Sequence, residues 1–239
     1  MADCAGSEFK IIFHFKKRVS LSLLKNVMIV AKSNFQKGFR ILLVFAFAYF
    51  FWLMLRLTLE YVPARPDISF LMIKQTEVHE RPEYLPIFYI HVYSSIFVLL
   101  AGFFSVLRKD FGTKNFHKIS GKIYVITLLL LSAPSGIYMG VFANGGFFSK
   151  ISFVILGLFW WFSTFKAYQL IRQKRFTLHK QWMWRSFALS LSAVTLRLWK
   201  VIIVYLFQPN PMDVYQVVAW LGWIPNILLI EYLISKKII

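Results

Sequence analysis

Six stretches of this chain are long and apolar enough to cross a lipid bilayer, and that constrains its fold more than any other feature. A spanning helix takes about 20 residues; the stretches run 41–59, 85–107, 121–143, 151–171, 183–206 and 214–234. Hydrocarbon offers no water to an unpaired backbone group, so a spanning segment must be a helix or a strand of a closed barrel. The alternating in-and-out pattern of barrel strands is absent here. A hydrophobic share of 58% and a mean hydropathy of +0.60 exceed what a soluble domain of this size carries. The sequence therefore predicts an all-α integral membrane bundle of six helices over 41–239. A basic leader over 1–40 precedes it, and a long external connection over 60–84 joins the first two spans.

Charge then orients the bundle. The net charge of +18 would suggest nucleic acid on a soluble protein, but here the basic residues follow the topology. Twenty Lys and Arg lie in the leader, in 108–122, in 172–185 and in the tail, against four in the intervening connections: Arg65, Lys74, Arg81 and Lys150. By the positive-inside rule both termini are expected in the cytoplasm and the protein in the cytoplasmic membrane. No nucleic-acid partner is called for. Residues 20–32, "SLSLLKNVMIVAK", have the spacing of an amphipathic helix lying on the membrane surface, its basic flanks suited to anionic lipid at the cytoplasmic face. The first long apolar run begins after Arg40, too late for a secretory signal, and reads as the first anchor. The single cysteine, Cys4, rules out an intramolecular disulfide and a Cys-based metal site.

Charged residues within spans are costly and persist with partners or for a function. In "HKQWMWRSFALSLSAVTLRLWK", His179, Trp182, Ser186, Ser190, Ala193, Arg197 and Lys200 recur every three or four residues, so on one continuous helix they share a face. The second span repeats the device with His91, Ser94 or Ser95, Gly102 and Ser105. Arg185 and Glu231 lie near the inner ends of their spans and are expected to form an ion pair. Arg197 lies about 15 Å from the outer end at 1.5 Å per residue, with Asn226 at similar depth and no carboxylate to match. Arg197, Asn226, Lys200, Ser190 and His91 are thus candidates for an outer-half site for something anionic or electron-rich, such as a quinone or a carboxylate; packing alone is the competing account of the same stripe. His117 and His179 sit at one level at the cytoplasmic end, where two imidazoles could be axial ligands of a b-type heme; capping is the alternative there. No metal site is displayed: His79 lies in a solvated charge run with Glu77 and Glu80.

The segments "HVYSSIFVLLAGFFSVL", "FHKISGKIYV", "TLHKQWMWRSFALSLSAVTLRLW" and "WLGWIPNILLIEYLI" resemble the predicted membrane proteins of domain of unknown function 2306. The matching positions are His91; His117, Gly121 and Tyr124; His179, Trp182, Met183, Arg185, Ser186, Thr195 and Arg197; and Trp223, Pro225 and Asn226. Lys118 and Lys122 stand where that pattern has arginine. The resemblance covers roughly 41–235 and implies that the residues singled out by depth belong to one motif set. The expected function is the binding of a small anionic or electron-rich ligand, or a redox cofactor, within the bundle, with a membrane oxidoreductase component among the roles this admits. The alternative is a non-catalytic membrane protein or small-solute transporter whose polar residues serve packing or a solute path.

Overall fold

A computed structural model describes residues 37–38, 41–106 and 114–238. The expected amphipathic segment 20–32 and Cys4 lie outside the described residues. The chain forms two compact units, through Phe50 and from Phe51 onward, and the division falls inside the first span, α1 (Ile41–Leu59). In the first unit α1 is apolar, with Tyr49 and Phe50 in edge contact at 5.6 Å between ring centres.

Every regular element of the second unit is a helix, with no strand among its described residues. After α1 come a 3₁₀ turn (Ser69–Lys74), α2 (Gln75–Glu80) and α3 (Tyr84–Val106). Next is α4, which runs as Lys114–Thr127, a π turn at Leu128–Ser132, and Ala133–Val141. Then follow α5 (Gly146–Arg172), α6 (Phe176–Ser190), α7 (Ser192–Phe207), α8 (Pro211–Leu221) and α9 (Ile224–Ser235). Among the described residues five helices, with α8 and α9 taken as one, are long and apolar enough to span, and α6 with α7 makes a sixth. Large apolar side chains such as Leu130 and Val201 face outward (69% and 67% exposed), as lipid-facing positions do.

The fifth span departs from expectation: it is two helices bent by 42° at Leu191, so the stripe from His179 to Lys200 does not lie along one rod. A polar lock explains why the bend is stable. Asn226 Nδ2 donates to Ala188 O at 3.1 Å and to Thr195 Oγ1 at 3.0 Å, on either side of the bend. Thr195 Oγ1 in turn donates to Gly222 O, where α8 ends. Gly222 is needed there, because a Cβ would stand 2.9 Å from Leu196 Cβ. Beside it Trp223 Nε1 donates to Ser152 Oγ at 3.0 Å, tying the α8–α9 junction to α5. The residues of "GWIPN" thus pin one helix break against another. Bilayer-depth breaks persist only where neighbours supply such partners.

The interruption of α4 has its own cause in the sequence. In the π turn, Ala133 N donates five residues back, to Leu128 O. The next such donor would be Pro134, which has no N–H. Leu129 O is thereby left to the indole of Trp161, whose Nε1 reaches it at 3.2 Å from α5.

Two hairpins, α3–α4 and α5–α6, are built to one plan. Their helices start at Tyr84 and Lys114, and at Gly146 and Phe176, in each case 62 residues apart. His117 Nδ1 donates to Ser105 O at 3.1 Å and His179 Nδ1 to Ala167 O at 2.8 Å, each closing its hairpin across 12 residues of chain. Seven residues beyond each histidine stand Tyr124 and Ser186, and these two meet at 2.6 Å. The π turn of α4, shifted by the same offset, falls on the break at Leu191. Few residues other than the His-Lys pairs are shared at this offset, so the repeat is one of geometry and is not visible as a sequence repeat.

Small residues set the spacing of these helices. Gly140 lies against the backbone of Phe153 and Val154, where a Cβ would come within 3.2 Å, and a Cβ at Gly157 would reach Ile137 at 2.6 Å. Gly145 makes the tight α4–α5 turn at φ +88° and sits against Tyr215. Beyond the helix ends, 60–84 is a folded flap: Tyr61, Leu71, Tyr84, Phe88 and Tyr89 form a buried cluster. Arg65 N and O both bond Tyr89 Oη at 2.8 Å.

Candidate functional site

At the flap end of the second unit lies a cavity of about 430 Å³. Its walls come from α1 beyond Phe50, the flap, α3, α4, α5, the end of α6, α7 and Tyr215 of α8. Most of the lining is apolar, including Met54, Phe88, Leu99, Met139, Leu156 and Leu196. Into this surface project Lys74, His91, Ser95, Asn144, Arg197 and Lys200. No Asp or Glu lines it.

The cations are placed differently. Lys74 is 2% exposed and is already used: its ammonium donates to Glu77 Oε1 at 2.6 Å and to Phe142 O. Burial by itself would raise the Glu77 carboxyl, but the Lys74 hydrogen bond and charge outweigh it and hold the group below its ordinary value. Lys74 therefore staples the flap to the end of α4. Nearby, Glu83 is held low by its own backbone amide and by the Tyr138 hydroxyl, which donates to it at 2.8 Å.

Arg197 is exposed, and its open surface borders the cavity. Nη1 donates to Ala193 O at 2.7 Å, one turn back. No carboxylate is paired with it among the described residues. A guanidinium has five N–H donors, so most of the fork is uncommitted. Lys200, one turn on, lies over the Tyr215 ring at 5.2 Å.

His91 is oriented by the interrupted helix. Its Nδ1 lies 2.9 Å from Ser132 O. A carbonyl only accepts, so Nδ1 carries the proton and Nε2 is the nitrogen left over. The ring rests on Gly136, where a Cβ would stand 2.8 Å from Cε1. Ser95 Oγ, one turn further along α3, is buried without a hydrogen-bond partner.

Below the cavity floor is a hydroxyl network in which every member is satisfied. Tyr124 Oη bonds Ser186 Oγ at 2.6 Å and Ser190 Oγ at 2.9 Å. Thr164 Oγ1 bonds Ser186 Oγ at 2.6 Å, and Trp160 Nε1 donates to Ser190 Oγ at 3.0 Å. Ser190 thus lines the cavity while its hydroxyl is held by the network.

Of the expected site residues, the structure brings His91, Ser190, Arg197 and Lys200 together on one cavity. Asn226 is not among its lining residues, because its amide is taken up by the helix breaks. His117 and His179 lie apart from it at the hairpin closures. Among the described residues no group of three or more His, Cys, Asp or Glu could hold a metal ion, and neither heme nor quinone finds support. Arg185 and Glu231 pair side-on, Nε to Oε1 at 2.5 Å and Nη2 to Oε2 at 2.8 Å, with the guanidinium over the Trp182 ring at 4.6 Å. Sequence reasoning missed Lys74, Tyr215 and the α5 wall. Pro134 in mid-span, and Trp160 and Thr164 one turn apart in the fourth span, were the available signals for the rest.

A family model described as "Predicted membrane protein (DUF2306)" matches residues 88–234. No curated protein and no solved structure matches the chain.

Proposed function

The chain belongs to the DUF2306 family of predicted membrane proteins, and we propose that it binds a small anionic ligand in the cavity beside Arg197. Both termini are then cytoplasmic, by the positive-inside count, and the cavity lies in the outer half of the cytoplasmic membrane. One observation carries this reading: an arginine at bilayer depth has most of its donors uncommitted and faces a carboxylate-free cavity of about 430 Å³. That volume falls in the range of small-molecule sites, about 300–1,000 Å³, and an intramembrane cation without a counter-charge is costly to retain. His91, presented by Ser132 O, and Lys200 complete the polar wall.

The test is the mass of what co-purifies. Protein extracted in mild detergent and measured intact should carry a small anionic adduct, and Arg197→Leu should lose it while still inserting. Equal adducts in both proteins would overturn the assignment. Labelling Cys4 with a membrane-impermeant maleimide, before and after permeabilisation, checks the orientation. The breaks at Leu191 and at the α8–α9 junction favour a second reading, a solute path, since transporters place sites at interrupted helices. Arg197-dependent flux of the identified anion in vesicles would distinguish carriage from binding.

A further inference from the structure

The ligand's chemistry can be narrowed from the donor inventory of the cavity, given the anion-binding reading above. Arg197 and Lys200 stand three residues apart on α7, so both reach the same wall. Neither has a carboxylate partner among the described residues. Ser95 Oγ adds a buried hydroxyl with no partner, and Tyr215 lines the same cavity. Lys74, the third cation of the lining, is spent on Glu77 and Phe142 O, so Arg197 and Lys200 are the two cations left to a ligand, with hydroxyls of Ser95, Thr58 and Tyr215 among the same lining.

A carboxylate has one charge and would leave one of the two cations unneutralised. A phosphate monoester carries about −1.5 to −2 charges at neutral pH and three acceptor oxygens, which matches both the charge and the number of donors. An arginine fork with a neighbouring lysine as point charge is the usual division of labour around phosphate. The remaining wall is aliphatic and aromatic, and a free inorganic ion would waste it. A volume of about 430 Å³ suits a head with one chain and is small for a two-chain phospholipid.

The two-hairpin plan agrees. At positions related by the 62-residue offset, the first repeat places His91 and Ser135 and the second places Phe153 and Arg197. His91, Phe153 and Arg197 all line the cavity, so it sits between the first hairpin and the second, with Arg197 and Lys200 coming from α7, the continuation of the second past the break at Leu191. Sites between structural repeats are where membrane carriers hold their ligands.

We propose that the cavity takes a phosphate monoester bearing a single apolar chain, with Arg197 and Lys200 on the phosphate and the chain along the apolar wall.

The experiment uses the full chain in lipid nanodiscs and four probes: dodecyl phosphate, dodecyl sulfate, dodecanoate and inorganic phosphate. Affinities are read by intact-complex mass spectrometry against a competing lipid background. Dodecyl phosphate should bind at least about tenfold more tightly than the sulfate or the carboxylate, and inorganic phosphate more weakly than any of them. Lys200→Gln should bring dodecyl phosphate down to the level of dodecyl sulfate. Arg197→Lys, which keeps the charge and loses the fork, should lose about tenfold for the phosphate with an unchanged melting temperature. If the three chain-bearing probes bind alike and all depend on Arg197, the phosphate assignment falls and the anion site stands. If inorganic phosphate matches dodecyl phosphate, the single-chain assignment falls. If no probe binds, or binding ignores Arg197, both readings fall.

Discussion

Tyr124→Phe deletes one oxygen at a fully buried position and leaves a ring of the same shape. The lost hydroxyl bonds Ser186 at 2.6 Å and Ser190 at 2.9 Å. Neither serine is stranded by the change, because Ser186 keeps Thr164 at 2.6 Å and Ser190 keeps the Trp160 indole at 3.0 Å. The penalty for an unsatisfied buried group, about 1–3 kcal/mol, therefore does not apply. What remains is the cost of interhelical hydrogen bonds between membrane helices, about 0.6 kcal/mol each on average and about 1.7 at most. For two bonds the expected loss is about 1 kcal/mol. Reversible unfolding in bicelles, driven by SDS titration or by steric trapping, measures it. Ser186→Ala and the double variant complete a cycle whose coupling should be about 0.5–1 kcal/mol. A coupling of zero would refute the bond between the two hairpins. A loss above about 4 kcal/mol, beyond the ceiling for two such bonds, would refute the claim that the network is redundant.

The same unfolding assay should separate two glycines. Gly102→Ala drives a Cβ to 2.7 Å from Phe187 and 2.8 Å from Tyr124, overpacking worth about 1–3 kcal/mol, whereas Gly121→Ala meets nothing closer than Ser105 Oγ at 3.9 Å and should be near neutral. Arg185→Leu and Glu231→Gln should each cost about 1–3 kcal/mol, the side-on pair being half exposed, and the double variant should cost much less than the two together. The flap should loosen in acid. Glu77 is held below its ordinary value of 4.5, so its bond to Lys74 contributes fully above that value and is lost as pH falls through the lower folded one. Hydrogen exchange over 69–80 should rise as pH falls below that ordinary value and through the lowered folded one, and Glu77→Gln should remove that dependence by making exchange fast at every pH. Gly136→Ala should push the His91 ring off Ser132 O, read as a shifted imidazole resonance with the fold intact.

What could be read before folding was whatever depends on the local run of residues. Span number and length follow from apolar stretches, because hydrocarbon admits only internally bonded segments of a set length. The ion pair of Arg185 with Glu231 follows from depth alone, since two charges at one level in a low-dielectric slab have few other partners. Arg197, His91 and Lys200 were legible for the same reason. Tertiary structure decided what depth cannot. The sequence puts Asn226 at the depth of Arg197, yet its amide is consumed by the carbonyl and hydroxyl groups exposed at the Leu191 bend. That bend is not announced by a proline or glycine at Leu191; it exists because a residue on another helix satisfies it. The repeat of the two hairpins was equally hidden. It resides in hydrogen bonds at corresponding positions, and many side chains can fill a helix between His117 and Tyr124, or between His179 and Ser186, without disturbing them. Sequence alone determined that the chain is a membrane bundle with an arginine inside a span; the packing of one broken helix against another decided which polar groups are spent on the fold and which are left for a ligand.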